Sequence, residues 1–295
     1  METNGSNKCL YGKDGGIAFS LAITLYVLIT FLGQVVFGAL LGNQSVAYLA
    51  VCATFAPVAM MSVILIFNNR KERSFKIVST LKPFNLISIL SAVLLAVGMF
   101  LGLGCVNGLI STALEDLGAT VVTPTVPLSN FGQFILFTFV LAVVPAVVEE
   151  LFFRGLILSS LKNYSVAAAV VISSLCFSMY HGSVSQLAYQ FAFGVGFSLL
   201  ALYSGSVLPC VAVHFANNFF VLLCEYLGIY INLLNPVLIA VGILSLVIFS
   251  LIVVTGLKNK KACAGQNGAF KDYFLPYGLV GVAICLILIV GGMML

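Results

Sequence analysis

Nine runs of apolar residues follow one another along the chain, separated by short polar segments. A helix needs about 20 mostly apolar residues to cross the hydrocarbon core of a bilayer, and most of these runs reach that length. The pattern predicts an all-α, polytopic transmembrane bundle of about eight or nine helices, in which the fifth and sixth are the shortest. The runs cover residues 17–41, 45–67, 86–110, 131–161, 165–181, 187–204, 207–228, 236–257 and 273–294.

Composition makes lipid the main solvent of this chain. Apolar residues make up 61% of the sequence and charged residues only 7%, and the mean hydropathy is +1.17. Soluble globular proteins carry about 45–50% apolar and about 25% charged residues. The composition therefore excludes a soluble enzyme, a disordered chain and a nucleic-acid-binding module. We expect residues 1–295 to form a single integral-membrane domain.

The distribution of positive charge predicts the orientation of the bundle. With the N-terminus in the cytoplasm, all 13 Lys and Arg residues, Arg154 included, fall in cytoplasmic segments, as the positive-inside rule requires. The loop after the third run contains Glu115 and Asp116 and no positive charge. The sequence thus predicts a cytoplasmic N-terminus, and its short loops are typical of a bacterial plasma-membrane protein.

Three charged residues lie inside the fourth apolar run, where each costs about 2.5–3.5 kcal/mol on insertion scales. Glu150 and Arg154 are four residues apart, so they share a helix face and are expected to pair. Glu149 points about 100° away from Glu150 and is expected to remain free for chemistry. Pro145 leaves the carbonyl of Leu141 without its helical partner, and the resulting kink can open space for water beside Glu149.

Both histidines of the chain also lie in or beside apolar helices. His181 follows Phe177 by four residues, and Asn218 follows His214 by four, so each pair shares a helix face. Polar and ionisable groups inside a membrane are functional candidates by default. We therefore predict that Glu149, His181, His214 and Asn218 form one site, in a water-filled cavity open to the cytoplasm.

Several intramembrane protease classes do not fit the spacing of these residues. The sequence has no HExxH motif of a zinc protease and no GxSxG motif of a serine hydrolase. Its aspartates, Asp14, Asp116 and Asp272, lie in predicted loops or tails, which excludes a pair of catalytic aspartates inside helices.

Three motifs resemble those of the CAAX protease and bacteriocin-processing family, also called the CPBP or Abi family. They are EELFFRG at 149–155, FSMYH at 177–181 and HFANN at 214–218, which match the family patterns EExxxR, FxxxH and HxxxN in the same order. The resemblance covers residues 130–225, the expected catalytic core. Residues 1–129 and 226–295 are expected to form flanking transmembrane helices.

This resemblance implies a role for each site residue. Glu149 and His181 would activate a water molecule, and His214 and Asn218 would stabilise the oxyanion, while the charged pair in the fourth run would be structural. Two histidines and one carboxylate also form the first shell of some zinc sites. Glu149, His181 and His214 are therefore candidate ligands for zinc or another divalent metal, and no other cofactor is predicted.

The sequence thus predicts an intramembrane endopeptidase of glutamate or metallo type. Its expected partners are the lipid bilayer and a membrane-associated peptide or protein substrate, either CAAX-like or a small precursor; no nucleic acid and no particular oligomeric state are predicted. One alternative is a membrane immunity protein that binds a bacteriocin-like peptide without cleaving it. A proton-coupled transporter is a weaker alternative, because the chain shows no internal repeat.

Overall fold

The computed structural model of the chain describes residues 10–69, 80–118, 126–258 and 268–294, with side chains described as far as residue 291. The described residues form helices and no strands, which confirms the all-α fold. The principal helices are α1 (Gly12–Leu41), α2 (Val46–Asn69), α3 (Leu86–Asp116), α4 (Phe131–Ser160), α5 (Val166–Tyr180), α6 (Val184–Ser204), α7 (Leu208–Leu227), α8 (Pro236–Lys258) and α9 (Ala269–Gly291).

Eight of these helices are long and apolar enough to cross a membrane, and α5, with 15 residues, is shorter. The protein is therefore an integral membrane protein with many spans, as predicted. The nine helices correspond one to one with the nine apolar runs. The cytoplasmic position of the N-terminus remains a prediction from the charge distribution.

Polar and glycine residues at the predicted boundaries explain where the central helices begin and end. The Asn130 side chain accepts a hydrogen bond from the backbone N–H of Gln133 at 3.0 Å, which caps the start of α4. Ser165 caps α5 in the same way. Gly205 and Gly228 end α6 and α7 with φ of 70° and 64°, a left-handed conformation that glycine adopts without strain.

Helices α4 to α7 form the centre of the bundle and carry all three sequence motifs. A tight turn at Gly182 (φ 65°) joins α5 to α6, and the two helices pack closely along their length. A Cβ atom at Gly194 would lie 2.7 Å from the Cα of Ser174, so only glycine permits this approach. Around this centre, α1 packs against α2 and α9, and α8 packs against α3.

Two ends of the bundle differ in charge. At the basic end, where α1 begins and α4 ends, the Tyr164 hydroxyl donates to Asp272 at 2.7 Å and the Val207 N–H donates to the Thr80 carbonyl at 2.9 Å. At the opposite, acidic end, α3 ends, α4 begins and α5 turns into α6. All lysines in the described part of the chain lie at the basic end: Lys13, Lys82, Lys162, Lys258 and Lys271. The acidic end carries Glu115, Asp116 and Glu225.

Helix α4 contains two π-helical segments within its α-helical course. π-helical turns at Phe139–Val143 and Leu151–Ile157 flank an α-helical stretch, Val144–Glu150, which ends in the two glutamates. Single π turns occur frequently at functional sites, because they change the direction in which side chains project. The irregular parts of α4 therefore lie on either side of the stretch that carries the two glutamates.

Candidate active site

Glu150 is the centre of a buried hydrogen-bond network. Its Oε1 atom accepts a hydrogen bond from Arg154 Nη1 at 3.0 Å, as the four-residue spacing leads one to expect. The same oxygen accepts a second hydrogen bond from His214 Nδ1 at 2.9 Å. Glu150 is fully buried, and the charge-assisted bonds at Oε1 offset part of the loss of water around its carboxylate. Its Oε2 atom has no hydrogen-bond partner among the described residues.

The Arg154 side chain lies deep in the bundle, with only 2% of its surface exposed. Its guanidinium carbon lies 4.2 Å from the ring centroid of Phe177 and 5.0 Å from that of Phe197, within the range of cation–π attraction. Its Nη2 atom also donates to the carbonyl of Gly194 at 3.4 Å. The residue counted among the positive-inside charges is thus part of the core, where it ties α4 to α5 and α6.

Glu149 is buried beside this network but has fewer partners. Its Oε1 accepts a hydrogen bond from the Tyr180 hydroxyl at 3.3 Å. Its Oε2 lies 3.9 Å from His214 Nε2 and has no hydrogen-bond partner among the described residues. One oxygen of this carboxylate is therefore free to bind a proton donor such as water.

Hydrogen bonds at Nδ1 orient both histidine rings. His181 Nδ1 lies 2.8 Å from the carbonyl of Phe177, so it donates to that oxygen and Nε2 remains free. The Nδ1 atom of His214 donates to Glu150, and its Nε2 points towards Glu149. The His214 ring also stacks on Phe197 at a centroid distance of 5.6 Å. Each ring is thus held in one orientation with Nε2 available.

Asn218 donates a hydrogen bond to the carbonyl of Leu141, to which Pro145 cannot donate. In a regular helix, the N–H of residue 145 would donate to the carbonyl of Leu141, but proline has no N–H. The Nδ2 atom of Asn218 donates to that carbonyl at 3.1 Å. A side-chain amide has two N–H donors, so the second one remains available.

A cavity of about 260 Å³ brings the four predicted site residues together, and Pro145 lines it beside Glu149. The cavity shares no lining residue with the cavity at the basic end, which contains Lys162. Eleven residues line it: Leu141, Pro145, Glu149, Phe177, His181, Tyr189, Gln190, Phe193, His214, Asn217 and Asn218.

Sequence reasoning missed two contacts of this site. Tyr180 precedes His181 inside a recognised motif, yet its hydroxyl reaches Glu149 on another helix. The second partner of Glu150, His214, lies 64 residues away in the sequence. The four-residue helix spacing gave a signal for Arg154 alone, and only the packing of α7 against α4 shows the histidine contact.

The described residues do not fit a metal site. Among them, no three His, Cys, Asp or Glu side chains are grouped closely enough to hold a metal ion. The Nδ1 atoms of both histidines donate to oxygen acceptors, so only their Nε2 atoms could contact a ligand.

A family model described as type II CAAX prenyl endopeptidase Rce1-like matches residues 131–220. No curated protein and no solved structure matches the chain significantly. The matched segment contains α4 to the second half of α7, including all three motifs and the cavity between them. The match confirms that this segment resembles the CAAX endopeptidases, and this similarity supports a protease activity.

Proposed function

We propose that this protein is an intramembrane endopeptidase in which Glu149 activates water for attack on a peptide bond. The observation that carries the proposal is the cavity that joins Glu149, His181, His214 and Asn218 inside the segment similar to CAAX endopeptidases. The cavity lies within the bundle, where a scissile peptide bond can meet these groups away from bulk water.

Water activation is assigned to Glu149 and His181. The free Oε2 of Glu149 accepts a proton from water, while the free Nε2 of His181 accepts a hydrogen bond from the same molecule and orients it. The tyrosine hydroxyl on Oε1 fixes the carboxylate rotamer. General-base catalysis by a positioned carboxylate typically contributes about 10²- to 10⁴-fold to the rate.

Stabilisation of the tetrahedral intermediate is assigned to His214 and Asn218. In its donor role, His214 carries protons on both ring nitrogens, with Nδ1–H on Glu150 and Nε2–H on the oxyanion. The second amide proton of Asn218 supplies another hydrogen bond to the oxyanion. The C–N bond then breaks, and the proton held by Glu149 passes to the leaving amine.

The substrate is a membrane-associated peptide, either CAAX-like or a small precursor, and the host membrane is a bacterial plasma membrane. No contact in the described residues favours the alternative of an immunity protein that binds a peptide without cleaving it. The two functions give different products, since sequestration returns the intact peptide.

Peptide cleavage in proteoliposomes tests the proposal. The purified protein is incubated with membrane-anchored peptides of both classes, and the products are identified by mass spectrometry. We expect one new C-terminus and one new N-terminus from a single hydrolysed bond with wild type, and no product with His181→Ala. Peptide that is bound but recovered intact would support sequestration and contradict the peptidase.

A further inference from the structure

A second cavity, of about 400 Å³, adjoins the candidate catalytic cavity. The two cavities share Leu141, Tyr189, Gln190, Asn217 and Asn218 as lining residues, so they lie side by side. Phe100, Gly104 and Asn107 of α3 form the opposite wall of the second cavity.

Side-chain amides dominate the polar lining of this second cavity. It presents five of them and, among the described residues, no charged group: Asn107, Gln186, Gln190, Asn217 and Asn218. The Oδ1 atoms of Asn107 and Asn217 are buried and have no hydrogen-bond partner in the described part of the chain. Buried acceptors without partners are costly, so these oxygens are suited to receive N–H donors from a ligand.

A peptide backbone in an extended conformation matches this lining. It presents N–H donors and carbonyl acceptors along its length, and each side-chain amide offers both a donor and an acceptor. A lipid phosphate or a terminal carboxylate is bound most strongly by a cation, which this lining does not provide. The lining therefore favours an internal, uncharged stretch of peptide over a free C-terminus.

The second cavity lies nearer to one end of the bundle, and this indicates the side from which a ligand approaches. Gln186 lies in the first turn of α6, directly after the turn at Gly182, and Leu233 lies in the connection between α7 and α8. Both belong to the acidic end of the bundle. Under the positive-inside rule this is the non-cytoplasmic end, the opposite of the cytoplasmic opening that the sequence led us to expect.

We propose that substrate enters from the acidic, non-cytoplasmic end, and that the amides of the second cavity bind the backbone of an internal peptide segment next to the scissile bond. This proposal rests on the proposed peptidase function. It identifies the substrate class as a peptide that reaches the site from outside the cytoplasm as an uncharged, extended segment.

Thiol labelling tests the side of access without any measurement of activity. Gln186→Cys and, at the basic end, Lys162→Cys are each exposed to a membrane-impermeant maleimide in intact cells and in inverted vesicles. Above the signal of the unmodified chain, we expect Gln186→Cys to react in intact cells and Lys162→Cys only in inverted vesicles. Reaction of Gln186→Cys only in inverted vesicles, or in neither preparation, would overturn the proposal.

Kinetics on a cleaved peptide test the role of the amides. Asn107→Leu removes a buried oxygen that has no partner, so we expect unchanged or higher thermal stability together with a KM raised about tenfold. The kcat should stay near that of wild type, because Asn107 does not line the catalytic cavity. Gln34→Leu, which removes an exposed amide outside both cavities, is the matched control.

An unchanged KM for Asn107→Leu would overturn backbone binding by the amides. If no peptide is cleaved by wild type, the peptidase function fails, yet labelling still reports the side of access. Failure of the two proposals can therefore be told apart.

Discussion

Glu149 and Glu150 are neighbours in the sequence but have different chemical surroundings. Glu150 accepts hydrogen bonds from an arginine and a histidine through one oxygen and does not line the catalytic cavity, whereas Glu149 lines that cavity. One oxygen of Glu149 has no hydrogen-bond partner among the described residues. The 100° step between consecutive helix residues was sufficient to predict different roles for the two carboxylates. It could not show that Glu150 also holds His214, because that contact depends on how α7 packs against α4.

Mutation can separate two effects of the Glu150 network, which are its contribution to stability and its positioning of His214. Glu150→Gln leaves a buried guanidinium without its counter-charge, so we expect a loss of about 3–5 kcal/mol in unfolding free energy. In Glu150→Gln/Arg154→Met the unpaired charge is gone, and most of the stability should return. The kcat should remain about 10²-fold below wild type, since His214 has lost its orienting carboxylate.

Thermal unfolding in detergent measures the stability of each variant, and peptide cleavage by the same preparations measures its kcat. A double variant with wild-type kcat would show that Glu150 has no part in positioning the histidine.

The side-chain mechanism predicts that activity does not depend on a divalent metal. Treatment of the purified protein with a strong chelator should leave kcat unchanged, because the described residues form no three-ligand cluster. The measurement is peptide cleavage before and after chelation, followed by addition of zinc. Loss of activity that zinc restores would contradict the mechanism and return Glu149, His181 and His214 to the role of ligands.

The helices themselves were predictable from apolar runs, since a span must be long and apolar to lie in lipid. The fifth run, 165–181, became Val166–Tyr180, and the sixth, 187–204, became Val184–Ser204. Helix depth was not predictable. Residue positions along α4, α5 and α7 do not determine how deep each side chain lies, and only the packing of these helices shows that Glu149, His181 and His214 line one cavity.

The π turns of α4 could not be predicted from the sequence either. Pro145 indicates that the helix is disturbed, and Phe139–Val143 is the π turn just before it. The partner that serves the freed carbonyl comes from α7, so this local change depends on tertiary packing.

A double-mutant cycle tests the link between Pro145 and Asn218. Asn218→Ala should cost about 1–3 kcal/mol in wild type, because the buried carbonyl of Leu141 loses its donor. In a Pro145→Ala background residue 145 can donate its own N–H, so the same change should cost less, by about 1 kcal/mol. Thermal unfolding of the four variants in detergent measures the coupling, and additive costs would contradict it.

At the scale of the whole molecule, the chain keeps its polar chemistry inside and its apolar surface outside. Large apolar side chains such as Phe31, Leu40 and Ile287 are mostly exposed, as expected of a surface that faces lipid. The charged network and the two adjoining cavities lie in the interior, among helices α3 to α7. Composition predicted the apolar surface, and polar residues inside apolar runs predicted a site in the interior. The sequence analysis also predicted a cavity open to the cytoplasm, whereas Gln186 and Leu233, which line the second cavity, lie towards the acidic end.

The most direct test of the central claim is the kcat of Glu149→Gln for a cleaved peptide in proteoliposomes. Glu225→Gln in α7, which neutralises a glutamate outside the catalytic cavity, is the matched control. We expect Glu149→Gln to lower kcat about 10³-fold through loss of the general base, and Glu225→Gln to retain wild-type activity. A kcat for Glu149→Gln close to that of wild type would show that another group activates the water and would contradict the account.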